Sequence, residues 1–304
     1  MITRDAQVFL DVARGCAPDF GPVTAKAAFL VAPDGFAHAA ESAGDNRYMA
    51  DAAHFDGERA LAQHRGLQRA MAAELPTLCF PGDPQAPDGL FPNNAFATVA
   101  GRLVVGRMRH PVRRREAARA DIRAFFGDVL GYETVDLSGQ PHPCELTGAM
   151  VVDRARGLGF AGLSERCDGV GARLVHEALG LRATLACELA PGEYHANVVL
   201  AILAGRAAMV SPDGFADPAP LLAALDALYG PHVVRLSPAE REAFAGNAIS
   251  LGRDTVWMSA GAEASLAAAS RRGLADAGFA IRSVPLDAIE AAGGSLRCCV
   301  AEIW

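Results

Sequence analysis

The sequence predicts an α/β fold of five hairpin–helix–strand units arranged around an axis. Three observations carry this reading. Apolar residues alternate over short stretches and then switch to helical spacing, the two periods of half-buried strands and one-sided helices. The switch recurs about every 50 residues, the scale of repeat architectures. Glycine with Asp, Asn or Arg punctuates the tight connections between the alternating stretches. Of the 304 residues, 51% are apolar, enough for a sizeable core.

The first complete unit opens with a hairpin from Asn94 to Met108, turning at Ala100-Gly101-Arg102. Ala118, Ile122, Phe125 and Val129 then recur at helical spacing, and Tyr132 to Leu137 alternates as a strand. The second unit has a hairpin from Ala149 to Leu163 turning at Arg154-Ala155-Arg156-Gly157, a helix over Val170 to Leu179 and a strand over Ala183 to Leu189. The third has a hairpin from Asn197 to Val210, a helix near Leu221 to Tyr229 and a strand at His232 to Leu236. The fourth has a hairpin from Asn247 to Ser259, a helix over Glu263 to Ala277 and a strand at Ala280 to Pro285. A fifth unit is split across the termini: strands at Ala27 to Val31 and Thr77 to Phe80, a helix over Glu58 to Leu75, and a closing strand from Leu296 to Ile303. No linker or low-complexity stretch interrupts the series, so residues 1–304 are read as one domain. Five ββαβ units with pseudo-fivefold symmetry would close a propeller and leave no free strand edge.

Composition excludes several classes. The net charge is −7 and the only basic run is Arg113-Arg114-Arg115, too short to track a nucleic-acid backbone. No apolar run approaches the roughly 20 residues that cross a bilayer. The opening Met1-Ile2-Thr3-Arg4-Asp5 lacks a secretory pattern. Seven cysteines are scattered without a Cys-x-x-Cys pair or zinc spacing. They read as free thiols in a reducing, cytoplasmic compartment, with no metal and no organic cofactor expected. A homodimer stays open. No Gly-x-Ser-x-Gly elbow of a serine hydrolase occurs.

Two places carry nucleophilic chemistry. Gly293-Gly294-Ser295-Leu296-Arg297-Cys298 sets a thiol after a flexible turn and beside a cation that favours thiolate. A cysteine in an apolar strand is ordinarily core, which is the reading for Cys299. A cysteine nucleophile needs a base. Of eight histidines, His64 and His176 sit in helix patterns where packing is the ordinary role. His38, His54, His110, His142 and His232 lie in loops or at element ends. His195, in Pro191-Gly192-Glu193-Tyr194-His195-Ala196-Asn197, lies at the mouth of a hairpin, where a rigid frame holds catalytic side chains.

Phe91-Pro92-Asn93-Asn94, Glu145-Leu146-Thr147-Gly148, Tyr194-His195-Ala196-Asn197 and the Gly-Gly-Ser-Leu-Arg-Cys stretch follow one another along nearly the whole chain. In this order they resemble the pentein enzymes: arginine deiminases, dimethylarginine dimethylaminohydrolases, amidinotransferases and, most of all, the citrulline-utilisation hydrolases. Phe244-Ala245-Gly246-Asn247, Met258-Ser259 and the stretch from Pro33-Asp34-Gly35-Phe36 through Glu41 to Asp45-Asn46 add to the likeness.

The resemblance implies Cys298 as nucleophile, His195 as general acid and base, and Glu145 as a carboxylate bonding the nitrogens of the substrate head group. It implies Arg113 and Arg166 as a clamp on the substrate α-carboxylate, against the ordinary reading of each as a solvated surface charge, and Asp88 as a further substrate-side carboxylate. Asn94 and Asn197 stand where many deiminases carry aspartates. Fewer acids suit a neutral ureido group, so citrulline hydrolysis to ornithine, ammonia and carbon dioxide is the expectation. Arginine dihydrolase, dimethylarginine or arginine deiminase-type hydrolysis, amidino transfer and a non-catalytic protein of the same fold are the alternatives.

Overall fold

In the computed structural model, which describes all 304 residues, the strands form five separate sheets. Every sheet contains an antiparallel pair whose second strand pairs parallel with a third. Four are sequential: Phe96–Val99, Arg102–Val105 and Glu133–Asp136; Met150–Asp153, Leu158–Leu163 and Ala183–Glu188; Leu200–Leu203, Ala207–Val210 and Val233–Arg235; Ile249–Gly252, Thr255–Ser259 and Ala280–Val284. The fifth joins Ala301–Ile303 to Ala27–Val31 and Thr77–Phe80, uniting the two ends of the chain. The parallel third strand requires a crossover, which helices supply.

The opening strands of neighbouring units touch. Met150–Asp153 packs on Leu200–Leu203, Leu200–Leu203 on Ile249–Gly252, and Ala301–Ile303 on Phe96–Val99. Phe29 ties the split unit to the first through edge contacts with Phe80, Phe96 and Phe126. Full burial of such a ring contributes about 1.5–3 kcal/mol. The Gly57–Ala72 helix covers the split sheet with Ala60, His64, Leu67 and Met71, an i, i+4, i+7, i+11 stripe, and Asp56 caps it by accepting from the Arg59 N–H.

The structure corrects the sequence reading in four places. The stretch Leu296 to Ile303 is not one strand: Leu296–Cys299 is a helical turn, followed by the strand Ala301–Ile303. The helix expected over Glu263 to Ala277 breaks at Leu266 and Ala267, where the buried Glu240 carboxylate accepts from the Ala267 N–H and so starts a second helix. In the first unit the helical face is divided into Pro111–Ala117, Ala120–Ala124 and a π-helical turn Phe125–Val129, with Val129 exposed. Ile2–Thr3 adds a strand beside Ala183–Glu188, and the helix Ala6–Ala13 packs behind it, neither foreseen. No helix is long and apolar enough to cross a membrane.

Candidate active site

The correction at Leu296–Cys299 is part of a pattern. Before the opening strand of each unit the chain makes a tight or helical turn, and one residue of that turn sits two or three positions ahead of the strand. These residues are Asn94, Gly148, Asn197, Asn247 and Cys298. The turns converge: Pro92–Asn94 touches both Leu146–Ala149 and Leu296–Cys299, and Leu146–Ala149 touches Ala196–Val199. The repeat therefore brings one residue per unit to a common region, four with polar side chains and Gly148 with none.

Cys298 is buried. Its Sγ accepts from Asn247 Nδ2 at 3.3 Å and donates to Asn197 Oδ1 at 3.7 Å, while its N–H reaches Asn247 Oδ1 at 3.4 Å. Burial pushes the thiol up, opposed by the Asn247 hydrogen bond and, more weakly, by Arg297 and Arg113. Cys299 is fully buried in the apolar cluster that contains Leu67, Trp257 and Ile289, makes no hydrogen bond through its thiol, and burial raises it further. Sequence reasoning passed over Asn247 as a site residue. The signal was present in the repeat, because Asn247 stands in the register of Asn94 and Asn197.

His195 and Glu145 each precede such a turn and are fully buried. His195 Nε2 lies 2.8 Å from Glu145 Oε2. Burial outweighs the pull of that carboxylate and brings the imidazole down to about 4. At neutral pH the ring is therefore uncharged and donates its Nε2–H to Glu145, leaving Nδ1 as an unpartnered base. Burial opposes ionisation of Glu145, but Arg166, Arg113 and His195 together hold its carboxyl well below the usual range. Glu145 Oε1 accepts from the Arg109 N–H and Oε2 from Arg113 Nη1 at 3.1 Å. Expected to meet substrate nitrogens, Glu145 instead has both oxygens engaged by the protein, in an arrangement that fixes the imidazole.

Gly148 explains the Glu-Leu-Thr-Gly motif. A Cβ there would lie 2.5 Å from Asn94 Oδ1 and 2.8 and 2.9 Å from His195 Cε1 and Nδ1. The missing side chain is what lets the Asn94 amide and the imidazole approach each other.

A narrow cavity beside Cys298 is lined by Asp88, Phe91, Asn94, Arg113, Arg166 and Tyr194, with Asn46 and Ala292 at its cover. Arg113 is buried, forks onto Glu116 at 2.9 and 2.8 Å, and lies 3.7 Å from Asp88 Oδ2. Arg166 reaches Asp45 Oδ1 with Nε and Nη2 at 3.1 and 2.6 Å, donates to Ser42 O and lies over the Tyr194 ring. Both arginines face the cavity as expected, but protein carboxylates already occupy their forks. Asp45 belongs to a segment strapped over the site: Asn46 Nδ2 bonds Gly293 O, and the Ala50 N–H bonds Ala291 O. Gly293, at φ +75°, makes room for it, since a Cβ would fall 2.3 Å from Asn46 Nδ2.

Asp88 Oδ1 and Asn94 Oδ1 are buried acceptors without a partner. Asn197 departs from expectation. Its Oδ1 faces Cys298, but its side chain lines a different cavity, and Nδ2 is unpartnered there. Asp88, Asn94, Arg113, Arg166 and Cys298 thus surround one space, with His195 and Glu145 beside it, while Asn197 is only a wall between two.

A family model described as N,N dimethylarginine dimethylhydrolase, eukaryotic, matches residues 32–304. Comparison with the curated proteins gives no match. Among solved structures, the substrate-bound N-terminal domain of ArgZ, an arginine dihydrolase from the ornithine-ammonia cycle in cyanobacteria, is similar with a TM-score of 0.79 and 20% identity over 91% of this chain and 97% of that one. AgrE crystallised with L-arginine gives 0.79 and 20% over 91% of this chain and 40% of that one. The dimethylarginine hydrolase from Pseudomonas aeruginosa, complexed with citrulline, gives 0.71 and 19% over 92% and 99%. At these identities the likeness to solved structures carries the fold.

Proposed function

The chain belongs to the N,N dimethylarginine dimethylhydrolase family of the pentein superfamily and is a hydrolase of carbon–nitrogen bonds; on that premise we propose that it cleaves the guanidino group of an arginine-related amino acid. The observation that carries this reading is the unpartnered carboxylate oxygen of Asp88 in the same cavity as Cys298. A guanidinium brings N–H donors and a positive charge. Around the cavity two guanidinium groups, Arg113 and Arg166, meet three carboxylates, Asp45, Asp88 and Glu145, with Glu116 behind Arg113. That excess of acid suits a cation better than the neutral ureido group expected from sequence, because charge matching decides the cost of closing a site.

In this reading Cys298 Sγ attacks the guanidinium carbon and a C–S bond forms. The resting thiol is raised by burial, and a cationic head group beside it favours the thiolate. The thiol proton passes to His195 Nδ1, the ring nitrogen not committed to Glu145, and from there to the departing nitrogen, which leaves as ammonia or an amine. Water then gives its proton to His195, its oxygen bonds the same carbon, the C–S bond breaks and a ureido amino acid is released. A second passage of the ureido product would give ornithine, ammonia and carbon dioxide. Arg166 and Arg113 hold the amino-acid end once the substrate carboxylate competes with Asp45 for the Arg166 fork.

We further take residues 1–304 as one domain whose five sheets form a single ring. The contacts between opening strands support this, and one calorimetric unfolding transition is its test.

The test of function is kcat/KM across arginine, mono- and dimethylated arginine and citrulline, with ammonia, amine and ornithine measured. Arginine-type substrates should exceed citrulline. The second reading, citrulline as preferred substrate, rests on the neutral Asn94 amide in the cavity and is established if citrulline leads by a wide margin.

A further inference from the structure

On the other side of Asn197 lies a second cavity, which shares no lining residue with the one beside Cys298. Three opening strands wall it, through Met150, Val151 and Val152, through Leu200, Ala201 and Ile202, and through Ile249 and Ser250, with Glu302 and Trp304 from the fifth unit. Val23, Val152, Ile202 and Glu302 at its rim are partly exposed, so it opens to solvent. The space open to the centre of a water molecule is ≈ 50 Å³, several times the roughly 10–15 Å³ that one water needs.

Its charged lining is two guanidinium groups, Arg154 and Arg297, and one carboxylate, Glu302. Arg154 is 8% exposed and makes no hydrogen bond or ion pair; its guanidinium lies 4.7 Å from the Trp304 ring centroid. Asn197, Trp304 and Ser250 line the same space, and Asn197 Nδ2, Trp304 Nε1 and Ser250 Oγ are buried without partners. The remaining charges neutralise each other: Arg297 Nη2 pairs with Glu302 Oε2 at 2.8 Å. Glu302 attracts Arg154 but bonds Arg297, so the lining keeps one net positive charge, which an anion would offset.

We propose that this cavity is a binding site for a compact carboxylate-type monoanion, held by Arg154 with the donors of Trp304, Ser250 and Asn197. A single charge matches the one net positive charge of the lining. A planar carboxylate matches the flat fork of arginine, and the apolar wall of Val23, Val152, Ile202 and Ala204 accepts a short aliphatic part. Asn197 links the site to the reaction centre, because it lines this cavity with Nδ2 unpartnered while its Oδ1 accepts from Cys298. The proposal stands independently of which substrate is cleaved.

The test uses the intact protein. Of its two tryptophans, Trp257→Phe removes the one outside the cavity and leaves Trp304 as reporter. Acetate is titrated at constant ionic strength set by a bulky sulfonate salt, with chloride and phosphate as comparison anions. A saturable change in Trp304 emission is expected, with a Tm that climbs with the logarithm of acetate concentration. Both should vanish in Arg154→Met and persist, weakened, in Arg154→Lys. Without acetate, Arg154→Met should melt no lower than its parent. A non-saturating response, or one equal in Arg154→Met, would mean that water alone fills the cavity. A Tm loss of equal size with and without acetate would make Arg154 a structural cation and overturn the proposal. If Arg154→Met does not fold, Ser250→Ala decides: weaker acetate binding supports the site, unchanged binding removes it.

Discussion

The two cavities on either side of Asn197 differ in sign. Beside Cys298 the unpartnered buried groups are acceptors, Asp88 Oδ1 and Asn94 Oδ1, and the two lining guanidinium groups are paired with Asp45, Glu116 and Glu145 behind them. Beyond Asn197 they are an amide, an indole and a hydroxyl able to donate, and Arg154 bonds no carboxylate. Leaving a buried polar group unpaired is costly, so where several belong to residues lining one space their kind describes what would fill it. Acceptors wait for N–H groups and positive charge; donors wait for an anion. The same repeat supplies both, because the turns at Asn94 and Cys298 line the first space while the strands opening at Met150, Leu200 and Ile249 wall the second.

The sharpest way to break this contrast is to remove the chemistry from one side. Cys298→Ser should lower turnover by roughly 10⁴-fold or more, as loss of a nucleophile does. Intact-protein mass spectrometry with a haloacetamidine should find one adduct in the wild type and none in the variant. Retained turnover in Cys298→Ser would move the reacting centre elsewhere. Gly148→Ala comes next. Its methyl would clash with both the Asn94 amide and the His195 ring, and a displacement on the order of 1 Å costs about 10²-fold. Kinetics read beside Tm separate the outcomes: kcat should fall far more than stability does.

Asp88→Asn tests the sign of the catalytic cavity. It removes the acid with the open oxygen, so kcat/KM for the cationic substrate should fall about 10- to 100-fold, or about 1.4–2.8 kcal/mol, with citrulline barely affected. The rate advantage of chloroacetamidine, a cation, over neutral chloroacetamide in alkylating Cys298 should narrow in the same variant. An unchanged ratio would show that the cavity does not select by charge.

The smallest effect is in pH. The His195 pKa is lowered in the fold to about 4, so its neutral, base-competent form persists well below the usual range near 6.5. The acid limb of kcat/KM assigned to it should therefore appear near pH 4. A depressed histidine pKa means that the unfolded chain binds the proton more readily, so stability is lost as pH falls from about 6.5 toward 4. Glu145, also depressed, loses its contribution in the more acid range. Tm measured from pH 7 to 4 should decline, and His195→Asn should flatten the upper part of that decline. An equal slope in the variant would assign the decline to other groups.

The sequence alone determined the five units, their succession of hairpin, helix and strand and most of their boundaries, because hydrophobic period and turn chemistry are local. Ala27–Val31 and Thr77–Phe80 were legible to the residue. Ordered motifs marked Cys298, His195, Glu145, Asn94 and Asn197, the family resemblance added Arg113, Arg166 and Asp88, and all but Asn197 gather around the cavity beside Cys298. The sequence did not reach the broken helix at Leu266 and Ala267, where a glutamate 27 residues away supplies the cap. Nor did it reach the partners: Glu145 engaged by His195 and Arg113, Arg166 forked onto Asp45, Asn247 bonded to Cys298, and Asn197 turned toward Arg154's cavity. Those outcomes depend on which atoms meet across units far apart in the chain, and on which buried polar groups find partners there. A linear pattern encodes the face a side chain takes, whereas tertiary packing decides what lies opposite it.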